Sequence, residues 1–300
     1  MTGATHVELT ERGVLAVAGA DARGFLQGLI SNDVLRVGPQ AAIHAALLTA
    51  QGRYLHDFFV VEIAGVLYLD CEAARRDDLM KRLRLYKLRA KVTLEDATPR
   101  FAVFALPGAP ALAALELGGE PGAAGPLGGG IAFVDPRHAA MGARAILPRD
   151  GATAALAALG FAAGERAAME KLRLSLGLPD GSRDLVVERS ILLENGFDEL
   201  NGVDWKKGCY VGQELTARTK YRGLVRKRLL PVAIEGPAPE PGAAITYADQ
   251  EAGEMRSSAN GMGLALLRLE FLDKLAAQGG ALMAGAARLT PKKPEWVKTE

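Results

Sequence analysis

The sequence predicts an α+β protein that ends in a small β-barrel. The chain has 300 residues, which is more than one ordinary domain. Strand-like runs and helical spacings alternate between residues 14 and 176, and the pattern changes after Lys227. There, short strands divided by Pro and Gly follow one another, as in a small barrel or sandwich. We therefore predict a first region over 1–225 and a β-barrel domain over 226–300.

Local patterns predict the early elements of the first region. A helix is expected after Asp21, whose carboxylate can accept from the first-turn amides. The dipeptide Ala64-Gly65 predicts a tight hairpin between two of the strands. Strands are expected at residues 14–18, 43–48, 58–63 and 66–70.

Residues 73–88 have the apolar spacing of a helix, through Leu79, Met80 and Leu83. The other face is basic, with Arg75, Arg76, Lys81, Arg82, Arg84 and Arg89. This face is either simply solvated or contacts an anion. Further strands are expected at 92–95, 101–105, 131–134 and 143–147, and helices at 153–159 and 165–176. The glycine-rich stretch 118–130 is expected to be a flexible loop, because no strand leads into it and no helix leaves it.

The composition excludes several classes of function. Lys and Arg total 36 against 35 Asp and Glu, so no overall basic field favours nucleic acid or a membrane. Two cysteines cannot form a disulfide framework, and four scattered histidines predict no metal site within the chain. The N-terminus lacks an apolar leader, and no apolar run is long enough to cross a bilayer. These features favour a cytoplasmic protein without membrane contact.

Residues 201–228 differ from the rest of the chain in their chemistry. They contain eight cations against Asp204 and Glu214, so a local positive field exists there. The following helix is expected to pair Glu214 with Arg218. Cys209 would lie near the start of that helix beside two lysines, and both features favour a reactive thiolate. The alternative is that Cys209 is a buried, inert side chain.

Several motifs resemble the YgfZ family of folate-binding proteins, which are linked to iron–sulfur enzymes and tRNA modification. The most specific are KGCYVGQE at 207–214 and ARTKYRG at 217–223. Weaker matches are RGVLAVAGADARGFLQGLISNDV at 12–34, TAQGRYLHDFFV at 49–60, LYKLRAKV at 85–92 and LLENG at 192–196. The family is similar in fold to the aminomethyltransferase (T-protein) of glycine cleavage. The sequence is especially close to its mitochondrial iron–sulfur assembly branch.

The resemblance implies two interleaved N-terminal subdomains around a central folate site, with a C-terminal β-barrel. It also implies tetrahydrofolate or a one-carbon derivative as the cofactor. Glu194 matches the glutamate that the related transferases place against the pterin ring, whose adjacent N–H donors suit a carboxylate. The alternative for Glu194 is a surface or capping acid. The arginines among the remaining residues implied in folate binding would face the anionic polyglutamate tail of folate. These remaining residues are Lys207, Gly208, Tyr210, Gly212, Gln213, Glu214, Arg218, Arg222 and Arg226.

One departure from the transferases bears on catalysis. Where they carry GG-x-x-DD, this chain has Gly52-Arg53-Tyr54-Leu55-His56-Asp57. His56 replaces the first aspartate, and Asp57 is retained. Together with Cys209 these two residues are the candidate catalytic groups, and the replacement makes transferase chemistry doubtful.

Three functions follow as hypotheses. The first is a tetrahydrofolate-binding accessory protein for assembly, maturation or repair of iron–sulfur clusters, with client enzymes or assembly factors as partners. The second is a folate-dependent aminomethyl or methyl transferase. The third is a tRNA-associated protein. Direct tRNA binding is not expected, because only Tyr210 and Tyr221 could stack on bases.

Overall fold

The computed structural model describes residues 3–223 and 225–297. The chain forms two compact units whose segments alternate along the sequence. The first comprises Met1–Leu48, Leu55–Met169 and Leu200–Val211, and the second comprises Thr49–Tyr54, Glu170–Glu199 and Gly212–Glu300. The ends of the predicted domains, residues 1 and 300, lie outside the described residues.

The first unit is built mainly from strands. In chain order its elements are β1 (Thr5–Glu8), β2 (Arg12–Ala18), α1 (Ala22–Gln27), β3 (Ile43–Leu48), β4 (Tyr54–Ile63), β5 (Val66–Glu72), α2 (Arg76–Lys87), β6 (Thr93–Asp96), β7 (Phe101–Pro107), α3 (Ala109–Ala114), β8 (Ala124–Leu127), β9 (Gly130–Val134), β10 (Gly142–Pro148), α4 (Ala152–Ala158) and β11 (Ala162–Ala163).

These strands form two sheets in the described part of the chain. The five-stranded sheet has the order β3-β4-β5-β2-β6, and the six-stranded sheet has the order β11-β1-β7-β10-β9-β8. Leu79 and Leu83 of α2 are fully buried, so that the helix packs through the apolar spacing read from the sequence. The expected hairpin joins β4 and β5 in antiparallel register, with Ile63 opposite Val66.

The second unit contains a closed barrel. Its elements are α5 (Arg166–Leu176), which begins in the first unit, α6 (Gly181–Asp184), α7 (Gln213–Tyr221), β12 (Lys227–Glu235), β13 (Ala244–Tyr247), β14 (Gln250–Ala259), β15 (Met262–Arg268), α8 (Leu269–Gln278), β16 (Leu282–Ala284) and β17 (Ala287–Pro291). The barrel order is β12-β15-β14-β13-β16-β17. Val232, Ile245, Met255 and Leu282 fill its interior and are fully buried. The predicted C-terminal β-barrel is therefore present.

Two local expectations need correction. The stretch 118–130 is not wholly a flexible loop, because β8 lies within it and pairs with β9. Gly128 and Gly129 form the connecting turn with φ of 52° and 80°, and a two-residue hairpin turn of this kind requires two positive φ angles. Asp21 precedes α1 but does not cap it. Its Oδ2 instead accepts the backbone N–H of Lys91 at 2.7 Å.

None of the helices in residues 3–223 and 225–297 combines the length and apolar character that a membrane span requires.

Candidate functional site

Glu194 lies in a short 3-10 turn of the second unit, Leu192–Asn195, between two buried neighbours. Its side chain is half-buried, and no residue that the structure describes donates a hydrogen bond to its carboxylate. Burial raises the pKa of Glu194, whereas the charges of Lys227 and Arg53 lower it. The carboxylate therefore keeps its acceptor sites for a ligand, with two cations close enough to stabilise its charge.

Arg53 is held by a turn that its own backbone closes. The Thr49 N–H donates to Arg53 O at 2.8 Å, and the Arg53 N–H donates to Thr49 Oγ1 at 3.0 Å. The guanidinium then donates from Nη1 to Arg189 O at 2.9 Å. These contacts fix the cation that contributes to the electrostatics of Glu194.

Two glycines let this turn approach the start of α7. Gly52 has φ 82°, and a Cβ placed on it would lie 2.6 Å from Leu215 Cβ and 2.7 Å from Gly212 O. Gly212 precedes α7 with φ 80°. At Gly52 these contacts leave no room for a side chain, and at Gly212 the left-handed backbone favours glycine. The backbone conformation thus accounts for the signature glycine Gly212.

Half of the six cations between residues 218 and 228, where the anionic tail of folate is predicted to bind, are paired with acids. Within the helix Arg218 pairs with Glu214, as expected from the spacing. Lys220 pairs with Asp198, and Arg228 pairs with Glu199. Arg222 and Arg226 are exposed and form no ion pair with the described residues. These two arginines are therefore exposed cations that an anionic ligand can reach.

Lys207 has a structural environment in the first unit. Its ammonium donates three hydrogen bonds to backbone carbonyls, Gln27 O at 2.8 Å, Ile30 O at 2.5 Å and Asn32 O at 2.9 Å. An ammonium has three donors, so all are used. Burial lowers the pKa of Lys207 to about 8. The Nζ atom also lies 5.0 Å from the centroid of the buried Tyr210 ring.

The two cysteines have opposite environments. Cys209 is exposed, as is Gly208 beside it. Cys71 is buried, and burial raises the pKa of its thiol to about 12. The alternative that Cys209 is a buried side chain is therefore wrong. Cys209, not Cys71, is the accessible thiol of this chain.

His56 and Asp57 point to opposite faces of β4, as neighbouring residues of a strand must. His56 Nε2 lies 2.9 Å from Asp78 Oδ2 of α2, and burial together with the charge of Arg75 lowers the pKa of His56 to about 4. Asp57 Oδ2 lies 3.0 Å from Nε2 of His44 on β3. The two candidate catalytic groups consequently cannot act together on one substrate atom.

The His44–Asp57 pair adjoins a buried cluster of charges. The His44 ring lies 5.1 Å from the Phe59 ring, and the Arg144 guanidinium carbon lies 4.1 Å from the centroid of Phe59. Arg144 in turn pairs with Asp70 at 3.0 Å. Although burial opposes it, the charge of Arg137 lowers the pKa of Asp135 in the same cluster to about 2. Asp70 lies on β5 and Arg144 on β10, so this buried ion pair joins the two sheets of the first unit.

The predicted site residues are divided between the units. His56, Asp57, Lys207, Gly208, Cys209 and Tyr210 belong to the first unit, and Glu194, Gly212, Gln213, Glu214, Arg218, Arg222 and Arg226 belong to the second. Sequence reasoning missed His44 and Asp78, which contact Asp57 and His56. It also missed that the charges of Arg53 and Lys227 act on Glu194. Across the described residues, no cluster of three His, Cys, Asp or Glu side chains could hold a metal ion.

Two family models match the chain. The GCVT N-terminal domain matches residues 1–118, and the CAF17 C-terminal β-barrel domain matches residues 226–299. Among solved structures, the aminomethyltransferase T of the glycine cleavage system from Bartonella henselae has a TM-score of 0.78. The match covers 99% of this chain and 87% of that one at 16% identity. The predicted aminomethyltransferase-like fold with a C-terminal barrel is confirmed.

Relatives at higher identity are iron–sulfur cluster assembly factors. The mitochondrial factor IBA57 of Homo sapiens is 37% identical over 97% of this chain and 85% of its own length. The Mus musculus protein is 37% identical over 89% and 78% of the respective lengths. The homolog from Coccidioides immitis is 30% identical over 98% and 83%.

These relatives bear on the family assignment and correct the expected localisation. They support the iron–sulfur assembly branch of the resemblance, but the narrower YgfZ assignment and a link to tRNA modification are not confirmed. The cytoplasmic localisation is wrong, because the relatives are named as mitochondrial and point to that compartment. The prediction failed because the lack of an apolar leader bears on secretion, whereas mitochondrial targeting uses amphipathic, arginine-rich segments.

Proposed function

The chain belongs to the IBA57 family of iron–sulfur cluster assembly factors, and from that premise we propose that it is a folate-dependent accessory protein. It binds tetrahydrofolate or a one-carbon derivative. In that state it supports the assembly, maturation or repair of iron–sulfur clusters in client enzymes, together with other assembly factors.

The observation that carries the folate proposal is the unused carboxylate of Glu194. The pterin edge offers adjacent N–H donors, and one carboxylate can accept both. Glu194 is half-buried, receives no hydrogen bond from the described chain and has Arg53 and Lys227 near its charge. A half-buried carboxylate without donors from the protein can accept them from water or from a ligand that displaces that water. The exposed Arg222 and Arg226 provide charge for the anionic tail.

The environments of His56 and Asp57 favour an accessory role over a transferase. With a pKa of about 4, His56 is neutral near pH 7, and its Nε2–H donates to Asp78. Asp57 accepts from His44, whose pKa burial lowers despite the carboxylate beside it. His56 is therefore not poised to exchange a proton with a substrate near neutral pH, and the Asp57 carboxylate is engaged by His44.

Isothermal titration calorimetry with tetrahydrofolate tests the binding site. Replacing Glu194 with alanine leaves pterin donors unpaired and should cost roughly 1.5–3 kcal/mol, about tenfold to a hundredfold in affinity. Glu194→Gln should be intermediate, since it keeps one acceptor and loses the charge. The matched control is Glu165→Ala, an exposed acid that should leave binding unchanged. Equal affinity of Glu194→Ala and the parent chain would remove Glu194 from the site.

A turnover assay distinguishes the accessory role from the transferase. The assay supplies aminomethyl groups on a lipoyl carrier and follows methylenetetrahydrofolate formation. We expect no sustained turnover. Multiple turnovers per chain would establish the transferase and contradict an accessory role.

A further inference from the structure

The C-terminal end of α2 and the residues after it present an unusual mixture of cations and apolar side chains. We call it the basic–apolar surface and define it as Lys81, Arg84, Leu85, Tyr86, Lys87, Leu88, Arg89 and Lys91. Residues 81–91 include no acid. The surface lies within the first unit, remote in sequence from Glu194.

The apolar side chains of this surface are unusually accessible. Leu88 is 88% exposed, Leu85 is 68% exposed and Tyr86 is 43% exposed. By contrast, Leu79 and Leu83 of the same helix are fully buried. Contiguous exposed apolar residues of this kind mark an interaction site more often than single ones do.

The backbone at Leu88 adds to this exposure. Leu88 follows the last residue of α2 with φ 44° and ψ −111°, a positive-φ backbone that favours glycine. A leucine at this position is strained and also leaves its side chain in solvent. The Leu88 side chain therefore contributes little packing to this unit.

The cations around these residues are not neutralised by the fold. Lys81, Arg84, Lys87 and Arg89 form no ion pair with any described residue. Two acids near the surface have contacts that leave the side-chain charges of these four cations unpaired. Asp78 pairs with Arg82 and His56, and Asp21 accepts the backbone N–H of Lys91. The surface therefore carries a local positive charge that the overall charge of +1 does not reveal.

We propose that the basic–apolar surface binds the anionic headgroup face of a lipid bilayer. Leu85 and Leu88 enter the boundary between headgroups and acyl chains, and Tyr86 lies at the interface. The cations contact the lipid phosphates, and the long lysine stems lie along the apolar side chains while their ammonium groups stay in water.

Other occupants fit the same residues less well. A protein interface is usually depleted in lysine, yet three of the five cations here are lysines. RNA recognition needs aromatic platforms, and Tyr86 is the one aromatic residue in this surface as defined. A second copy of the same surface would oppose like charges.

Vesicle sedimentation tests the proposal with the full chain. The probes are vesicles of phosphatidylglycerol mixed with phosphatidylcholine and vesicles of phosphatidylcholine alone. We expect binding to the anionic vesicles, weakened by salt, and no measurable binding to the neutral ones. Equal binding to both, or no binding to the anionic vesicles, would overturn the proposal.

Matched variants separate the two contributions. Arg84→Glu/Arg89→Glu should reduce partitioning at least about 25-fold, because each cation at an anionic surface contributes about fivefold. Leu85→Ser/Leu88→Ser should reduce it about tenfold. The controls Lys171→Glu/Arg288→Glu and Leu159→Ser alter exposed residues elsewhere and should bind as the parent does. Because all these side chains are exposed, circular dichroism should show unchanged folding.

A third probe, bulk tRNA, distinguishes the principal competitor. The proposal would be overturned in favour of RNA if the chain retained tRNA on a filter but bound no vesicles. In that case retention should require Arg84 and Arg89 and should tolerate Leu85→Ser/Leu88→Ser. Vesicle binding that equally tolerates the serine substitutions would also overturn it, because the leucines would then have no part in the contact.

Discussion

Replacing Lys207 with methionine tests whether the first residue of KGCYVGQE stabilises the fold or binds folate. Methionine keeps most of the apolar stem and removes the ammonium, which donates to Gln27 O, Ile30 O and Asn32 O. A net hydrogen bond contributes about 0.5–1.5 kcal/mol, so the loss of three should cost about 2–4 kcal/mol of unfolding free energy.

The assay is urea unfolding followed by far-ultraviolet circular dichroism, in parallel with tetrahydrofolate titration of the folded protein. Lys206→Met is the matched control, because the Lys206 side chain is exposed, and it should change stability by less than about 0.5 kcal/mol. We expect Lys207→Met to lose stability and to keep its affinity for tetrahydrofolate while folded. Unchanged stability with a tenfold weaker affinity would refute the structural role and make Lys207 a ligand residue.

Three further predictions concern packing, pH and thiol reactivity. Gly52→Ala should destabilise the chain by about 2 kcal/mol or more in urea unfolding, because its Cβ would lie 2.6 Å from Leu215 Cβ; an unchanged midpoint would contradict this packing. The pKa of His56 is about 6.5 in the unfolded chain and about 4 in the folded one. As the pH falls, His56 is therefore protonated in the unfolded chain before it is protonated in the folded chain. Stability should therefore fall by up to about 3 kcal/mol between pH 6.5 and 4, and His56→Asn should flatten that slope; an unaltered slope would exclude His56. Iodoacetamide should alkylate the exposed Cys209 well before Cys71, whose thiol has a pKa raised to about 12, as peptide mass spectrometry can show. Equal rates would contradict both assigned environments.

The elements that could be predicted are those whose signal is local. The hairpin at Ala64-Gly65, the helix after residue 73 and the β-barrel each follow from apolar spacing or turn residues close in sequence. Strand β8 could not be predicted in this way. Its residues are AGPL within a glycine-rich stretch, and its place depends on pairing with β9.

The candidate site was less accessible to sequence reasoning, because its contacts are long-range. Lys207 was assigned to folate or to thiol activation, yet its carbonyl partners lie 175 to 180 residues away in sequence. The faces of β4 separate His56 from Asp57, which the adjacency of the two residues concealed. Glu194 was found only through a family resemblance, since nothing in the sequence alone shows that its carboxylate receives no donor.

The most direct test of the central claim is complementation in cells that lack this chain, with the activity of iron–sulfur client enzymes as the readout. The account predicts that the parent chain and Glu165→Ala restore client activity. Glu194→Ala should not restore client activity when it is expressed at the same level. Its affinity for tetrahydrofolate should be reduced at least about tenfold. Full restoration by that weakly binding variant would contradict the claim that folate binding at Glu194 supports iron–sulfur assembly.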